Sequence, residues 1–374
     1  MQTDWNEIRD DFPALKRGIF LNAAGQSPTP RPVREAVVAF YRELEDGRDG
    51  WAAWVLRQEE ARAVVARLVN AEAGEIAFVP NTSTGINLVA DLIGDAGAVL
   101  TDEIEFPALT LPWIHRGIGV HFAPVVEGVV RLEFFDERQA PRAATIVVSH
   151  VQFTNGCRQD LAALGAMKGV RHLVVGGSQS VGAFPIDVRG TGIDALACSG
   201  HKWLCAGHGA GFVYVKRALI EAHRPAAIGW LSVEDSLSFN NREYRVLPEA
   251  RRVELGSPAF GAAFALGAAA RYLLGIGIER IGQRVLELNT YLTAQLQRAG
   301  FEILSPGGAH RSGETLCAVG DAGRAFRSLR ELGIHVTQKA QGVRISTHFY
   351  NSEEEIEACV RALIDCRESS ASAE

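Results

Sequence analysis

The stretch from Arg171 to Val215, RHLVVGGSQSVGAFPIDVRGTGIDALACSGHKWLCAGHGAGFVYV, decides how this chain is read. It contains three short apolar runs bounded by glycine: Leu173–Val175, Ala195–Cys198 and Gly211–Val215. Uninterrupted runs of this length are the pattern of strands buried on both faces. Between the last two lies Ser199-Gly200-His201-Lys202-Trp203, which sets a lysine just past the end of a buried strand. Lysine is scarce here: only five occur among 38 basic residues, and Lys202 has the most apolar neighbourhood of them. A buried lysine loses stabilisation of its charge, so its pKa falls and its neutral amine becomes able to form a Schiff base. The plainer alternative is a lysine that reaches solvent from a strand end.

Outward from that stretch, composition sets bounds. A chain of 374 residues, 47% of them hydrophobic, is long enough for a large core and is expected to hold two domains. A net charge of −6, with arginines scattered through both halves, gives no electrostatic case for nucleic acid or an anionic membrane as partner. No apolar segment reaches membrane-spanning length and the first residues, MQTDWNEIRDDF, are polar and acidic, so a cytoplasmic protein is expected. Six cysteines in a chain this long do not make a disulfide framework. The spacing Cys198-x2-His201-x3-Cys205-x2-His208 is that of zinc ligands, but Cys198 ends a buried run and Lys202 would press an ammonium against the ion. No metal is expected.

Strand and helix signals alternate from the N-terminal third to residue 215. Ile76–Val79 reads as a strand running into Pro80-Asn81-Thr82-Ser83-Thr84-Gly85, with helical apolar spacing over Ile86–Ile93. A hydroxyl-rich turn opening a helix offers backbone N–H groups, the positive end of the helix dipole and hydroxyl donors, which together suit an anion; the same residues are also ordinary helix caps. Ala98–Thr101, Val120–Ala123 and Thr145–Ser149 are further expected strands, and residues 124–143 read as loop and short edge structure. Past Ser257-Pro258 the pattern becomes two long amphipathic helices (about Phe260–Leu274 and Ile278–Arg298). Strands follow near Phe301–Leu304, Thr315–Val319, Ile334–Thr337 and Gly342–Ser346, with helices over Gly323–Leu332 and Ser352–Asp365. The expected fold is α/β: a large domain over 15–258 with a mainly parallel sheet covered by helices on both faces, and a smaller α+β domain from 259–374 together with 1–14. The tail ESSASAE is expected to lack order.

Taken in order from FLNAAG to RISTHFYN, these motifs resemble the class V aminotransferase family, fold-type I pyridoxal phosphate enzymes that include cysteine desulfurases, kynureninase-like proteins and isopenicillin N epimerase-like proteins. The resemblance implies pyridoxal 5'-phosphate as cofactor, a seven-stranded sheet in the large domain, and an amino acid as substrate. It implies that Lys202 forms the Schiff base, Gln179 meets the cofactor's ring hydroxyl, and Thr82, Ser83, Thr84, Ser199 and His201 hold its phosphate. Phe106 matches the residue placed over the ring. Ser257 matches a hydroxyl that reaches the phosphate in a partner subunit, which implies a homodimer with shared sites. Arg344 matches the arginine that pairs with the substrate carboxylate, a task for which its planar fork is suited; in a strand it would otherwise need an internal acid. Gly25 and Gln26 match a loop at the substrate side.

Two departures narrow the implied reaction. The family pattern V-D-x-x-Q-S-x-G has an aspartate where this chain has Gly176, so the acid that protonates the ring nitrogen is missing. A lost charge-assisted hydrogen bond is worth roughly 1.5–3 kcal/mol. Asp187 and Asp194 match structural aspartates of the family, and Ser178 or a water is a candidate neutral substitute. Desulfurases also carry a mobile-loop cysteine near the carboxylate arginine, and none lies between Cys317 and Cys359; where they have an asparagine, this chain has Phe153. The expected activity is therefore that of an aminotransferase or a C–S or C–C lyase that forms no persulfide. An epimerase or racemase with little quinonoid character is the alternative, and a non-catalytic scaffold that keeps the pocket is a second one.

Overall fold

The computed structural model describes residues 3–94, 97–136 and 143–371. The strands, in chain order, are β1 (Ile19–Phe20), β2 (Ile76–Val79), β3 (Ala98–Asp102), β4 (Val120–Ala123), β5 (Val125–Val126), β6 (Val129–Val130) and β7 (Ala143–Ser149). They continue with β8 (His172–Gly176), β9 (Ala195–Ser199), β10 (Gly211–Val215), β11 (Glu314–Ala318), β12 (Ile334–His335), β13 (Thr337–Lys339) and β14 (Gly342–Ser346). Seven of them form one sheet in the order β2-β10-β9-β8-β7-β3-β4. All neighbours are parallel except β10, which runs antiparallel to both β2 and β9. The expected mainly parallel seven-stranded α/β sheet is what forms.

Period-2 geometry explains why these strands read as unbroken apolar runs. Ile146, Val148, Leu173, Val175, Leu196 and Cys198 enter the core on one face. The residues between them, Val147, Val174, Ala195 and Ala197, enter the core on the other. Both faces carry helices, so no polar face is left along β8 or β9. The parallel strands end together, which brings Asp102, Ser149, Gly176 and Ser199 to one edge of the sheet, the edge where open α/β sheets bind ligands.

The C-terminal region has its own three-stranded antiparallel sheet, β11-β14-β13, and its own core, in which Cys317, Val343 and Ile345 meet Leu329, Ile356 and Leu363. Helix Phe260–Ile276 belongs to the first core through Ala265, Leu266, Ala269 and Leu273. The change from one core to the other falls within helix Ile278–Arg298, whose Ile281 and Val285 join the first core and Leu288, Leu292 and Leu296 the second.

Several boundaries differ from expectation. Thr82-Ser83-Thr84 is the first turn of a helix over Thr82–Ile93, not a turn before it, because the Asn81 side chain caps the Thr84 N–H. Phe301–Leu304 forms no strand. It makes an isolated bridge from Ile303 to Cys317, with the Ser305 hydroxyl accepting the Leu316 N–H where a backbone carbonyl would continue the ladder. Ile334–Thr337 splits, β12 pairing in parallel with β1 and β13 with β14. The last helix runs over Glu353–Ala371 and so takes in four of the seven residues of the tail expected to lack order; residues 372–374 lie outside the described residues. Of the stretch 124–143, β5 and β6 form a two-stranded ribbon, while 137–142 lie outside the described residues. No single helix among the described residues is long and apolar enough to cross a membrane.

Candidate active site

Lys202 follows β9 by three residues and is held by the turn in which Cys205 N–H bonds the Lys202 carbonyl. Its Nζ has no hydrogen-bond partner among the described residues and faces a cavity of about 310 Å3. Burial, with Arg344 adding repulsion and Glu314 opposing it, pulls its pKa down to about 8. The cavity is walled at the sheet edge by Ser149, Gly176 and Ser199, and on its open side by Phe106 and Phe153, whose rings meet edge to face at 4.9 Å. Phe106 is 41% exposed, the exposure of a ring waiting for a partner and not of a core residue.

One end of the cavity is a cradle of hydroxyls. Ser199 Oγ accepts the Thr82 N–H at 2.9 Å and lies 2.8 Å from Thr82 Oγ1, which also bonds Ser178 Oγ. These hydroxyls stand at the N-terminus of a 12-residue helix, with Ser83 beside them. His201 stacks on His208 at 4.3 Å; burial, reinforced by Lys202 and His208, pulls its pKa down to about 4, so it is neutral at pH 7. Gln179 lines the cavity with both ends already anchored: Nε2 donates to the Ala24 carbonyl at 3.0 Å and Oε1 accepts from Trp203 Nε1 at 2.8 Å.

Not every expected residue comes to this cavity. Thr84 turns its Oγ1 to Asn81 Oδ1 at 3.2 Å and lines a neighbouring cavity of about 400 Å3 together with Ser257. Gly25 sits in a turn closed on the Asn22 carbonyl, and the exposed Gln26 reaches His208 at 3.3 Å. Arg344 is buried and already engaged: Nη1 donates to the Phe153 carbonyl at 2.6 Å and lies 3.3 Å from Glu314 Oε2. The internal acid that a strand arginine requires is therefore present. Asp187 and Asp194 are structural, the first capping the turn at Arg189 and Gly190, the second holding Lys168 and Lys216. The Cys198 thiol donates to the Gly177 carbonyl, and no cluster of three or more candidate ligands occurs among the described residues.

Sequence reasoning missed three polar groups. Glu314 is buried and, among the described residues, neither of its carboxylate oxygens has a hydrogen-bond partner; burial raises its pKa against the pull of Arg344 and Lys202. Glu105 and Ser149 are joined at 2.6 Å beneath Gly176. The sequence offers only a faint signal for them: an acid at the first residue of a buried strand, and a Glu-Ile-Glu just past the end of another.

A family model, "Aminotransferase class-V", matches residues 19–359. Among curated proteins the chain is 29% identical to "Uncharacterized aminotransferase YcbU" of Bacillus subtilis, over 94% of this chain and 95% of that one. It is 30% identical to "Probable cysteine desulfurase" of Synechocystis sp., over 95% and 94%. Among solved structures, apo cysteine desulfurase from Thermococcus onnurineus NA1 superposes with a TM-score of 0.91, covering 99% of each chain at 25% identity. The cofactor of the class V family is pyridoxal 5'-phosphate. The residues here fit it: an unpartnered amine of low pKa for its aldehyde, and a helix N-terminus with a hydroxyl cluster for its phosphate. The chain, matched by the family model over nearly its whole length, belongs to the class V aminotransferases, fold-type I enzymes that depend on pyridoxal phosphate.

Proposed function

We propose that the protein acts at Cα or Cβ of an amino acid, as an aminotransferase or as a C–S or C–C lyase, and that it forms no persulfide on a cysteine of its own. The observation that carries the first part is Lys202: a half-buried amine with no hydrogen-bond partner among the described residues, opening on a cavity with an anion cradle at one end. When bound, the cofactor supplies an aldehyde carbon that joins an amine and a ring that withdraws electrons. The protein supplies the rest. Thr82, Ser83, Ser178 and Ser199 would bind the phosphate, Phe106 would cover the ring, and Lys202 Nζ would remove or return the Cα proton. Arg344 receives the substrate carboxylate.

The second part draws on the cysteines. Five of the six are buried, the sixth, Cys366, lies on the last helix, and none lines the Lys202 cavity. An epimerase reading draws on Gly176 alone, since a reaction with little charge spread into the ring has least need of an acid there. A homodimer with shared sites is supported by Ser257, which lies outside its own chain's Lys202 cavity, and by the exposed apolar side chains Val38, Tyr41, Leu111 and Ile114. A cytoplasmic setting suits five buried cysteines that form no disulfide among the described residues.

Borohydride reduction of the protein loaded with pyridoxal phosphate, followed by peptide mapping, is expected to place the label on Lys202, and Lys202→Ala is expected to lose it. A label elsewhere would sink the site reading. Incubation with cysteine is expected to leave every thiol free of persulfide; a persulfide on any of the six would overturn the second part.

A further inference from the structure

Where the acid is missing at residue 176, a hydroxyl of the neighbouring strand borders the space. This inference rests on the reading that pyridoxal phosphate occupies the Lys202 cavity with its ring toward residue 176, as the family pattern implies. A Cβ built on Gly176 would lie 2.8 Å from Leu109 Cδ2 and 3.0 Å from Ser149 Oγ. Leu109 thus holds the space that an aspartate stem would use, and the polar group bordering that space is the Ser149 hydroxyl. Ser149 is the register partner of Gly176 across β7 and β8 and lines the same cavity as Gln179 and Lys202.

Behind Ser149 lies a carboxyl group. Ser149 Oγ donates to Glu105 Oε1 at 2.6 Å, and the Ser149 N–H donates to Oε2 at 2.5 Å. Glu105 also accepts the Phe106 N–H at 2.6 Å, so the same residue that anchors Ser149 fixes the backbone of the ring-covering Phe106. Gln152 Nε2 bridges Glu105 Oε2 at 3.0 Å and Asp102 Oδ2 at 2.7 Å. Among the described residues neither acid has an ion pair, and burial, strengthened for Asp102 by the charge of Glu105, raises both. Two buried acids joined through one amide, with no cation beside them, favour keeping a proton between them.

We propose that Ser149, backed by Glu105, is the group that meets the ring nitrogen of the cofactor in place of the missing aspartate. The proton inventory balances along three groups. With Glu105 ionised, the Ser149 hydroxyl donates to it and a Ser149 lone pair accepts from a protonated ring nitrogen. With Glu105 protonated, Glu105 donates to Ser149, whose own hydrogen points to an unprotonated nitrogen. The two arrangements differ by one proton passed through one hydroxyl. An aspartate sets its charge directly on the nitrogen; here the charge stands one hydroxyl further away, which leaves the ring less permanently protonated.

The test uses the full chain with pyridoxal phosphate labelled with 15N at the ring nitrogen, read by NMR, alongside the dissociation constant of the cofactor. Ser149→Ala is expected to weaken cofactor binding about tenfold, the loss of one hydrogen bond, and to move the nitrogen resonance away from that of the parent. Glu105→Gln is expected to move the same resonance, and Ser149→Thr to restore it. Should Glu105→Gln fail to fold, Ser149→Ala decides alone, because it leaves every backbone partner of Glu105 in place. A resonance and a dissociation constant unchanged by Ser149→Ala would overturn the inference. Failure of the parent protein to take up the cofactor on Lys202 would instead overturn the reading of the cavity.

Discussion

Two buried arginines, Arg62 and Arg344, pair with glutamates, and the pairs are built in opposite ways. Arg62, on helix Trp51–Leu68, uses all its donors: Nη1 and Nη2 reach Glu254 at 2.5 and 3.0 Å, Nε and Nη2 reach Glu59 at 3.0 and 3.1 Å, and Nη1 also meets the Ile76 carbonyl. Glu254 in turn accepts the Phe78 N–H at 2.6 Å, and the guanidinium lies over the Phe78 ring. Arg344 and Glu314 form an ion pair at 3.3 Å without a hydrogen bond between them, and among the described residues neither Arg344 Nε nor either Glu314 oxygen has a hydrogen-bond partner. Buried polar groups are ordinarily satisfied because leaving them bare costs about 1–3 kcal/mol each. A fully paired set fastens helix to sheet. A less fully paired set near Lys202 is the one that would have hydrogen-bonding capacity left for the proposed substrate carboxylate; Thr337 and Leu316 are the register neighbours of Arg344, with Glu314 one step along the same face.

The largest effect separates the two on stability. Glu254→Gln leaves Arg62 buried with a weakened counter-charge and is expected to cost about 3 kcal/mol, read from denaturant midpoints. Glu314→Gln is expected to cost less than about 1 kcal/mol, because the carboxylate it replaces is poorly satisfied already. Equal costs would break the comparison. The second effect is on binding. Glu314 competes for the Arg344 fork proposed to receive a substrate carboxylate, so Glu314→Gln is expected to lower KM for amino-acid substrates about tenfold, the worth of one charge-assisted hydrogen bond, with kcat little changed. The pH dependence sharpens it. Burial raises the Glu314 carboxyl, so the folded state binds its proton more tightly than the unfolded chain does. Its stabilising share is complete below the ordinary carboxylate pKa and is lost as pH rises through the raised value. The Gln variant is expected to lack that part of the fall in stability with rising pH, read from thermal melts.

The two pairs also show what was legible in the sequence. The sheet was, because strands buried on both faces write themselves as continuous apolar runs, and β9–Lys202–β10 stood out for that reason. The hydroxyl cradle was too, though as a turn, since Asn81 was not recognised as the cap that draws Thr82–Thr84 into the helix. Glu314 was not, because its burial is set by Gly156, whose backbone lies against it from far away in the chain, and by a strand partner across a hairpin. Glu105 was hidden likewise: its partners Ser149 and Gln152 lie more than forty residues on. Local pattern shows where a strand ends; it does not show which distant acid shares that end.

The smallest effect is carried by Lys202, where the unsatisfied pair meets the reactive amine. With its pKa at about 8, about a tenth of the amine is neutral at pH 7 and half at pH 8, against well under one part in a thousand for an ordinary lysine at pH 7. Capture of pyridoxal phosphate by the cofactor-free protein, followed by its absorbance change, is expected to quicken with rising pH and to level off above about pH 8. Glu314 opposes this shift by favouring the ammonium. Glu314→Gln is therefore expected to bring the levelling to a lower pH, whereas Glu254→Gln, acting on the other pair, leaves it in place. A levelling point that Glu314→Gln does not move would mean that the bare carboxyl is protonated at working pH and acts on Arg344 without setting the charge of Lys202.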